Sequence, residues 1–345
     1  MDVEREGIAI RCDGLSKTYG QIAALQDLDL AVEAGTIFGF LGPNGAGKTT
    51  TIRLLVGLAR HTRGRGWVAG HEVTADGVAA RQLIGYLPEE PAFYPWMSGA
   101  EFLDYVGRLF GLHGAERKKR VDELLALAGL QEASRRRIGG YSRGMRQRLG
   151  VAQALINRPS VLILDEPASA LDPQGRRDVL TLIEQLRERA TVFMSTHILS
   201  DVERVCDRVA IIDRGRLVVE ADREGLQDRY APPVFELAWD EGDNEQIQVT
   251  DFVRLLEGVP WVSQVEHQSR ALRVHVSDRA RARRELLSLV AQSRLVLSRY
   301  EMVRPTLEDV FLRLVNRPTA MGEGLPTEPF SPRSETFGDQ GEGIR

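Results

Sequence analysis

Lysine is scarce in this chain. Of 45 basic residues only Lys17, Lys48, Lys118 and Lys119 are Lys, and the rest are Arg. That bias marks a GC-rich genome, so clusters such as Arg135–Arg137 and Arg281–Arg284 are expected to be solvated faces. Cysteine is scarcer still. Cys12 and Cys206 stand far apart and neither belongs to a CxxC pair, which excludes a disulfide scaffold and points to a reducing compartment. Basic excess is also lacking: the formal charge is −4, against a general nucleic-acid binder. No uninterrupted apolar run approaches the roughly 18 residues that cross a bilayer. The acidic start MDVEREGIAIRCDG lacks the apolar core of a signal peptide. If the protein works at a membrane, another chain must cross it. No two of the six histidines have metal-ligand spacing, so no zinc is expected.

What remains is an ordinary globular composition, 43% hydrophobic and 27% charged. Its 345 residues suggest two domains and a tail. Residues 8–40 alternate short apolar runs with turns and read as strands with hairpin connections. TTIRLLVGL after Lys48 reads as a helix, and residues 99–132 and 145–157 carry helical periodicity. VLILDEP (161–167) is wholly apolar until its two acids, which suits a buried parallel strand with chemistry at its C-terminal end. TVFMSTH (191–197) and RVAIIDRGRLVVE (208–220) read as further strands, with helices at 174–189 and 199–206 between them. Such alternation predicts an α/β fold with a parallel sheet. The pattern breaks in ADREGLQDRYAPP, which places a linker at 226–233. Beyond it the order βαββαβ is that of a small α+β ferredoxin-like domain, residues 234–316, closed by a helix at 306–315. The tail, 317–345, holds nine Pro or Gly in 29 residues and is expected to be disordered.

Gly42-Pro43-Asn44-Gly45-Ala46-Gly47-Lys48-Thr49 matches the phosphate-binding pattern GxxxxGK[ST], between a strand and a helix, and Thr50 continues it. Gly45 and Gly47 let the backbone wrap a phosphate with its N–H groups inward, and the helix N-terminus adds positive potential. Lys48 reaches the β- and γ-phosphates, and the Thr49 hydroxyl ligates Mg²⁺. The pattern therefore predicts ATP and Mg²⁺ as ligands. Asp165, ending an apolar strand, is the partner acid for the metal. Glu166 follows it. Strand alternation points it the other way, but the turn at the strand end can bring it to the γ-phosphate, where it activates water.

Tyr141-Ser142-Arg143-Gly144-Met145-Arg146-Gln147-Arg148 opens a helix shortly before that strand. Here the chain resembles the ATP-binding cassette (ABC) family, whose signature reads LSGGQ followed by a basic run. Tyr141, Arg143 and Met145 depart from it, while Ser142 and Gly144 remain. The resemblance implies a hydroxyl and a helix-start amide offered to a γ-phosphate. It further implies Tyr19 as the aromatic that stacks on adenine, Asp172 in the D-loop SALD, and His197 as the switch histidine. Glu89, in IGYLPEE, stands where most cassettes carry the Q-loop Gln. A carboxylate is a better ligand for a hard cation, so Glu89 joins Thr49 and Asp165 as a candidate metal ligand. Phe93, Tyr94, Trp96 and Met97 cluster after it, where the family receives a membrane subunit.

GFLGPNGAGKTT, IGYLPEE, YSRGMRQRL and PTLEDVFLRL are similar to the ATPase subunits of ABC-2-type exporters, including drug-resistance and sodium-extrusion ATPases. The resemblance implies a cassette over 8–225, with a RecA-like core, an antiparallel β-subdomain and a helical subdomain at about 92–158. It implies a peripheral protein on the cytoplasmic face of a bacterial plasma membrane, without a span of its own. It would power export of a small molecule or lipid-like substrate through a separate permease that contacts Phe93–Met97. A head-to-tail homodimer would share each ATP between the P-loop of one copy and Ser142 and Gly144 of the other, with Glu166, His197 and Lys48 catalytic. Two alternatives stay open: a soluble cassette acting on ribosomes or DNA, and a regulatory cassette without transport. Only 92 residues separate Thr49 from Ser142, too few for the coiled coils of DNA-repair cassettes, and the Glu166 and His197 positions are both filled.

Overall fold

The computed structural model describes residues 7–74, 77–222, 233–240, 246–293 and 295–303. The expected helix at 306–315, the tail and most of the linker lie outside them. The centre is a six-stranded sheet of order β10-β9-β3-β8-β7-β6. Its strands are β3 (Ile37–Leu41), β6 (Ile84–Leu87), β7 (Val161–Asp165), β8 (Thr191–Thr196), β9 (Arg208–Asp213) and β10 (Arg216–Asp222). Pairs β3·β8, β3·β9, β7·β8 and β6·β7 are parallel, and β9·β10 is an antiparallel hairpin at the edge.

Every residue of β3, β7 and β8 is buried, because both sheet faces are covered. Alternate residues of these strands feed two cores. Ile37, Leu41, Leu162, Leu164, Val192 and Met194 pack on one face with the helices α3 (Gly99–Leu109), α4 (Gly114–Leu127), α5 (Arg143–Ala154), α6 (Pro173–Glu184) and α7 (Leu199–Val205). Phe38, Phe40, Ile163 and Phe193 pack on the other with α1 (Lys48–Leu55) and a second sheet. Phe38 and Phe193 stack there with ring centroids 5.8 Å apart. That second sheet is antiparallel, of order β2-β1-β4-β5, from β1 (Ile8–Tyr19), β2 (Ile22–Glu33), β4 (Arg63–Val68) and β5 (His71–Glu72). A short α2 (Val78–Gln82) precedes β6.

One expectation needs correcting. Residues 99–132 hold two helices, not one: α3 stops at Leu109, and Gly111 turns the chain at φ +76° before α4 starts. A left-handed residue cannot continue a right-handed helix, and Gly adopts it without a Cβ penalty.

The third sheet has the order β12-β13-β11-β14, from β11 (Val234–Ala238), β12 (Val262–Gln268), β13 (Ala271–Val276) and β14 (Arg299–Val303). All its pairs are antiparallel. With α8 (Gln246–Glu257) after β11 and α9 (Arg279–Ser293) after β13, this is the ferredoxin-like arrangement, its first strand lying between its third and fourth. Its core is its own, built on Phe235, Phe252, Trp261, Leu272 and Leu286.

Candidate functional site

The loop from β3 to α1 wraps a point in space. Gly45 and Gly47 take φ of +80° and +109°, a conformation that side chains resist. At Gly47 a Cβ would also stand 2.7 Å from the Ala24 carbonyl oxygen. Lys48, the first residue of α1, is buried, and its Nζ donates to the Gly42 and Pro43 carbonyls at 2.7 and 3.2 Å. The loop thus curls around the ammonium of its own lysine.

Asp165 and Glu166 reach this loop from the end of β7. The Thr49 hydroxyl donates to Asp165 Oδ1 at 3.3 Å. Ser195 in β8 joins the two acids: its Oγ donates to Asp165 Oδ1 at 2.6 Å and accepts from the Glu166 N–H at 3.0 Å. Glu166 itself has φ +47°. That left-handed turn redirects a side chain which strand alternation would have sent away. Its Oε1 stands 3.2 Å from Lys48 Nζ and its Oε2 2.9 Å from His197 Nδ1. His197 follows β8, so two neighbouring parallel strands deliver the acid and the histidine at their C-terminal ends, where ligands of α/β sheets bind.

A cavity of 420 Å³ opens over these groups. Asn44, Gly45, Gly47, Lys48, Thr49, Thr50, Glu89, Glu166 and His197 line it, together with Ala24 of β2. Asp165 lies beneath it, bonded to Thr49. Tyr19 is not in its wall. It ends β1, 45% exposed, with Lys17 Nζ 4.6 Å from its ring centroid. Gly42, Pro43 and Ala46 sit in the loop behind the lining. Ser142, Gly144 and Asp172 lie elsewhere. Ser142 caps α5, accepting from the Met145 N–H at 3.2 Å, and is exposed at its tip. Asp172 precedes α6, also exposed.

Ser195 escapes sequence reading because a serine inside an apolar strand carries no motif. So does the anchoring of the signature. Tyr141, one of the departures from LSGGQ, is buried and its hydroxyl donates to the Ala133 carbonyl at 2.7 Å. The aromatic loop is tied to the same segment by its main chain: Ile138 N–H donates to Met97 O at 2.8 Å and Gly139 N–H to Pro95 O at 2.9 Å. Within that loop Phe93 packs edge-on against Phe102, with centroids 5.1 Å apart, while Tyr94 and Trp96 are 42% and 66% exposed.

A GxxxxGK[ST] loop curled around its lysine, a buried acid bonded to the loop's threonine and a second acid beside a histidine define a P-loop NTPase. The family described as ABC transporter matches residues 25–169, and the C-terminal domain described as ATP-binding protein DrrA1-3-like matches 222–315. Among relatives, the uncharacterized ABC transporter ATP-binding protein YxlF of Bacillus subtilis is 40% identical over 88% of this chain and 98% of its own length. The daunorubicin resistance ATP-binding protein DrrA2 of Streptomyces coeruleorubidus is 36% identical over 91% of this chain and 97% of its own. A solved ATP-binding subunit of an ABC transporter superposes with a TM-score of 0.58 at 30% identity, over 64% of this chain and 93% of that one. The dimeric post-hydrolysis cassette MJ0796, bound to ADP and Pi, gives 0.56 at 25% identity, over 62% and 98%. The chain belongs to the ABC transporter ATP-binding proteins, and is an ATPase of that family.

Proposed function

We propose that this protein drives export of a small or lipid-like molecule through a separate ABC-2-type permease, working as a head-to-tail homodimer on the cytoplasmic face of a bacterial membrane. One observation carries the reading: Lys48, Glu166 and His197 meet in one cavity, while Ser142 and Gly144 lie outside it at the tip of α5. A cavity lacking its signature groups obtains them from a second copy. The names of its relatives supply the direction and the substrate class, since two are described as daunorubicin and linearmycin resistance ATP-binding proteins. Among the described residues no helix is long and apolar enough to cross a membrane.

The loop amides and Lys48 hold the triphosphate, and Tyr19 stacks on the base. Thr49 and Asp165 offer hard oxygen donors to Mg²⁺, with Glu89 a third across the cavity, a donor set that suits this ion. The ion would neutralise phosphate charge. Glu166 takes the proton of the attacking water, and His197, held by Glu166, stabilises charge on the γ-phosphoryl oxygens. Tyr94 and Trp96 form the exposed part of the permease contact, with Phe93 and Met97 packed beneath them.

The test is purification of the tagged chain from membranes. It should bring with it an integral protein of several spans, and the pair should hydrolyse ATP faster than the chain alone, faster again with daunorubicin or another amphipathic drug. A chain that stays with ribosomes or DNA, and is stimulated by them, would overturn the reading.

A further inference from the structure

Asp201 is almost wholly buried in the first turn of α7, at 1% exposure. Its Oδ1 accepts from Arg176 Nε in α6 at 2.7 Å, and the other end of the same guanidinium donates to Ser200 Oγ at 2.7 Å. Among the described residues Oδ2 has no hydrogen-bond partner. A buried carboxylate with one oxygen unsatisfied is costly, and an apolar replacement often serves stability as well. The position of the pair suggests another use. Asp201 lies four residues after His197, and its N–H donates to Ile198 O at 3.2 Å. Arg176 lies four residues after Asp172, and its N–H donates to Asp172 O at 2.9 Å.

The other side of α6 touches the signature. A Cβ built on Gly144 would stand 3.4 Å from Gly175 Cα, so the starts of α5 and α6 meet backbone to backbone. Gly175 is the neighbour of Arg176. A short path therefore runs from Ser142 and Gly144 through Gly175 and Arg176 to Asp201, and from there to His197 and Glu166. As far as Asp201 each step is a bond or a close contact; Asp201 then bonds Ile198, the residue next to His197, and His197 bonds Glu166.

We propose that Arg176 and Asp201 are positioning residues, which relay engagement of this copy's signature end to the histidine and glutamate of its own cavity. The proposal rests on the two-copy reading above. The pair makes each site sense whether the other is closed, and so makes hydrolysis at the two sites cooperative.

The experiment compares Arg176→Ala, Asp201→Asn, their double variant and Arg176→Lys in the full-length chain. Three readouts are taken: ATPase rate against ATP, melting temperature, and ATP-dependent dimer by light scattering with Glu166→Gln added. Either single loss should lower turnover about tenfold, the upper range for coupling through a network. The Hill coefficient should fall to about one. The double variant should be no worse than either single, because both break the same link. Arg176→Lys keeps the charge but can reach only one of the two partners of the guanidinium, so its turnover should lie between those of Arg176→Ala and wild type. Asp201→Asn should melt no lower than wild type, and the Glu166→Gln dimer should still form. Additive losses, an unchanged Hill coefficient, or turnover that merely follows melting temperature would overturn the relay. If Glu166→Gln alone gives no ATP-dependent dimer, the two-copy reading fails and the relay with it. If that dimer forms and the variants stay cooperative, only the relay fails.

Discussion

Lys48 and Glu166 are ion-paired at 3.2 Å, each almost wholly enclosed by the site they share. The same lysine also holds two carbonyls of its loop. On the mechanism proposed above, a triphosphate draws the ammonium away from the glutamate and so frees the carboxylate to meet water. Binding and activation of the proposed base would then be one exchange of partners.

Glu166→Gln removes the charge that competes for Lys48 and also removes the base. Turnover should fall about tenfold to a hundredfold, while ATP affinity is kept or rises. Isothermal titration and a phosphate-release assay on the same preparation check both halves. Unchanged turnover would assign the base to another group. Lys48→Ala should do the reverse and lose affinity, because the triphosphate loses its main counter-charge.

Glu89→Gln restores the residue usual in this family and should leave hydrolysis largely intact. One anionic donor becomes a neutral carbonyl, so half-maximal activity should need more Mg²⁺. Overlapping Mg²⁺ curves for the two proteins would show Glu89 to be only a wall of the cavity.

Tyr141→Phe keeps the ring and loses the bond to Ala133 O, which still accepts from the Arg136 N–H. The cost should be about 0.5–1.5 kcal/mol, read as a lower midpoint in urea with unchanged slope. No change in the midpoint would mean that the ring alone anchors the signature.

Asp201 supplies a test by pH. Burial raises its carboxyl above the ordinary 3.8, against the opposing pull of Arg176. A carboxyl with a raised folded pKa favours the fold most below its unfolded value, and that contribution is lost as pH climbs through the folded pKa. Asp201→Asn is neutral throughout. Its melting temperature relative to wild type should therefore rise between about pH 4 and pH 7. A difference that stays flat over this range would show that Asp201 does not titrate there.

A chain ending at Asp228 should fold and bind ATP. Every residue lining the cavity precedes Ile198, and the third sheet keeps a core of its own. Soluble, folded protein without nucleotide binding would mean that later residues brace the site.

The loop and the two acids of the candidate site were legible because the chemistry proposed for them dictates a local pattern. Gly45, Gly47, Lys48 and Thr49 follow one another, and Asp165 and Glu166 end an apolar run. The βαββαβ order of the third sheet was legible too, since each element is long enough to carry its period. β5 and α2, two and five residues long, carry none. The turn at Gly111 was lost inside a continuous helical period. Ser195, Arg176 and Asp201 were hidden for a different reason. Their partners are 30 and 25 residues away, and only the packing of β7 beside β8 and of α6 beside α7 brings them together.

The hydrogen bonds that tie Pro95 and Met97 to the segment before Ser142 run between main-chain atoms. Exchange of the exposed Tyr94 and Trp96 therefore leaves those bonds in place, whereas a proline at Ile138 or Gly139 would remove one. In the permease contact proposed above, Tyr94 and Trp96 would act as an address that can be rewritten while the bonds beneath it stay the same. Lineages that must serve many different membrane proteins with one kind of motor gain from such a separation: new pairings need only new lettering at the surface.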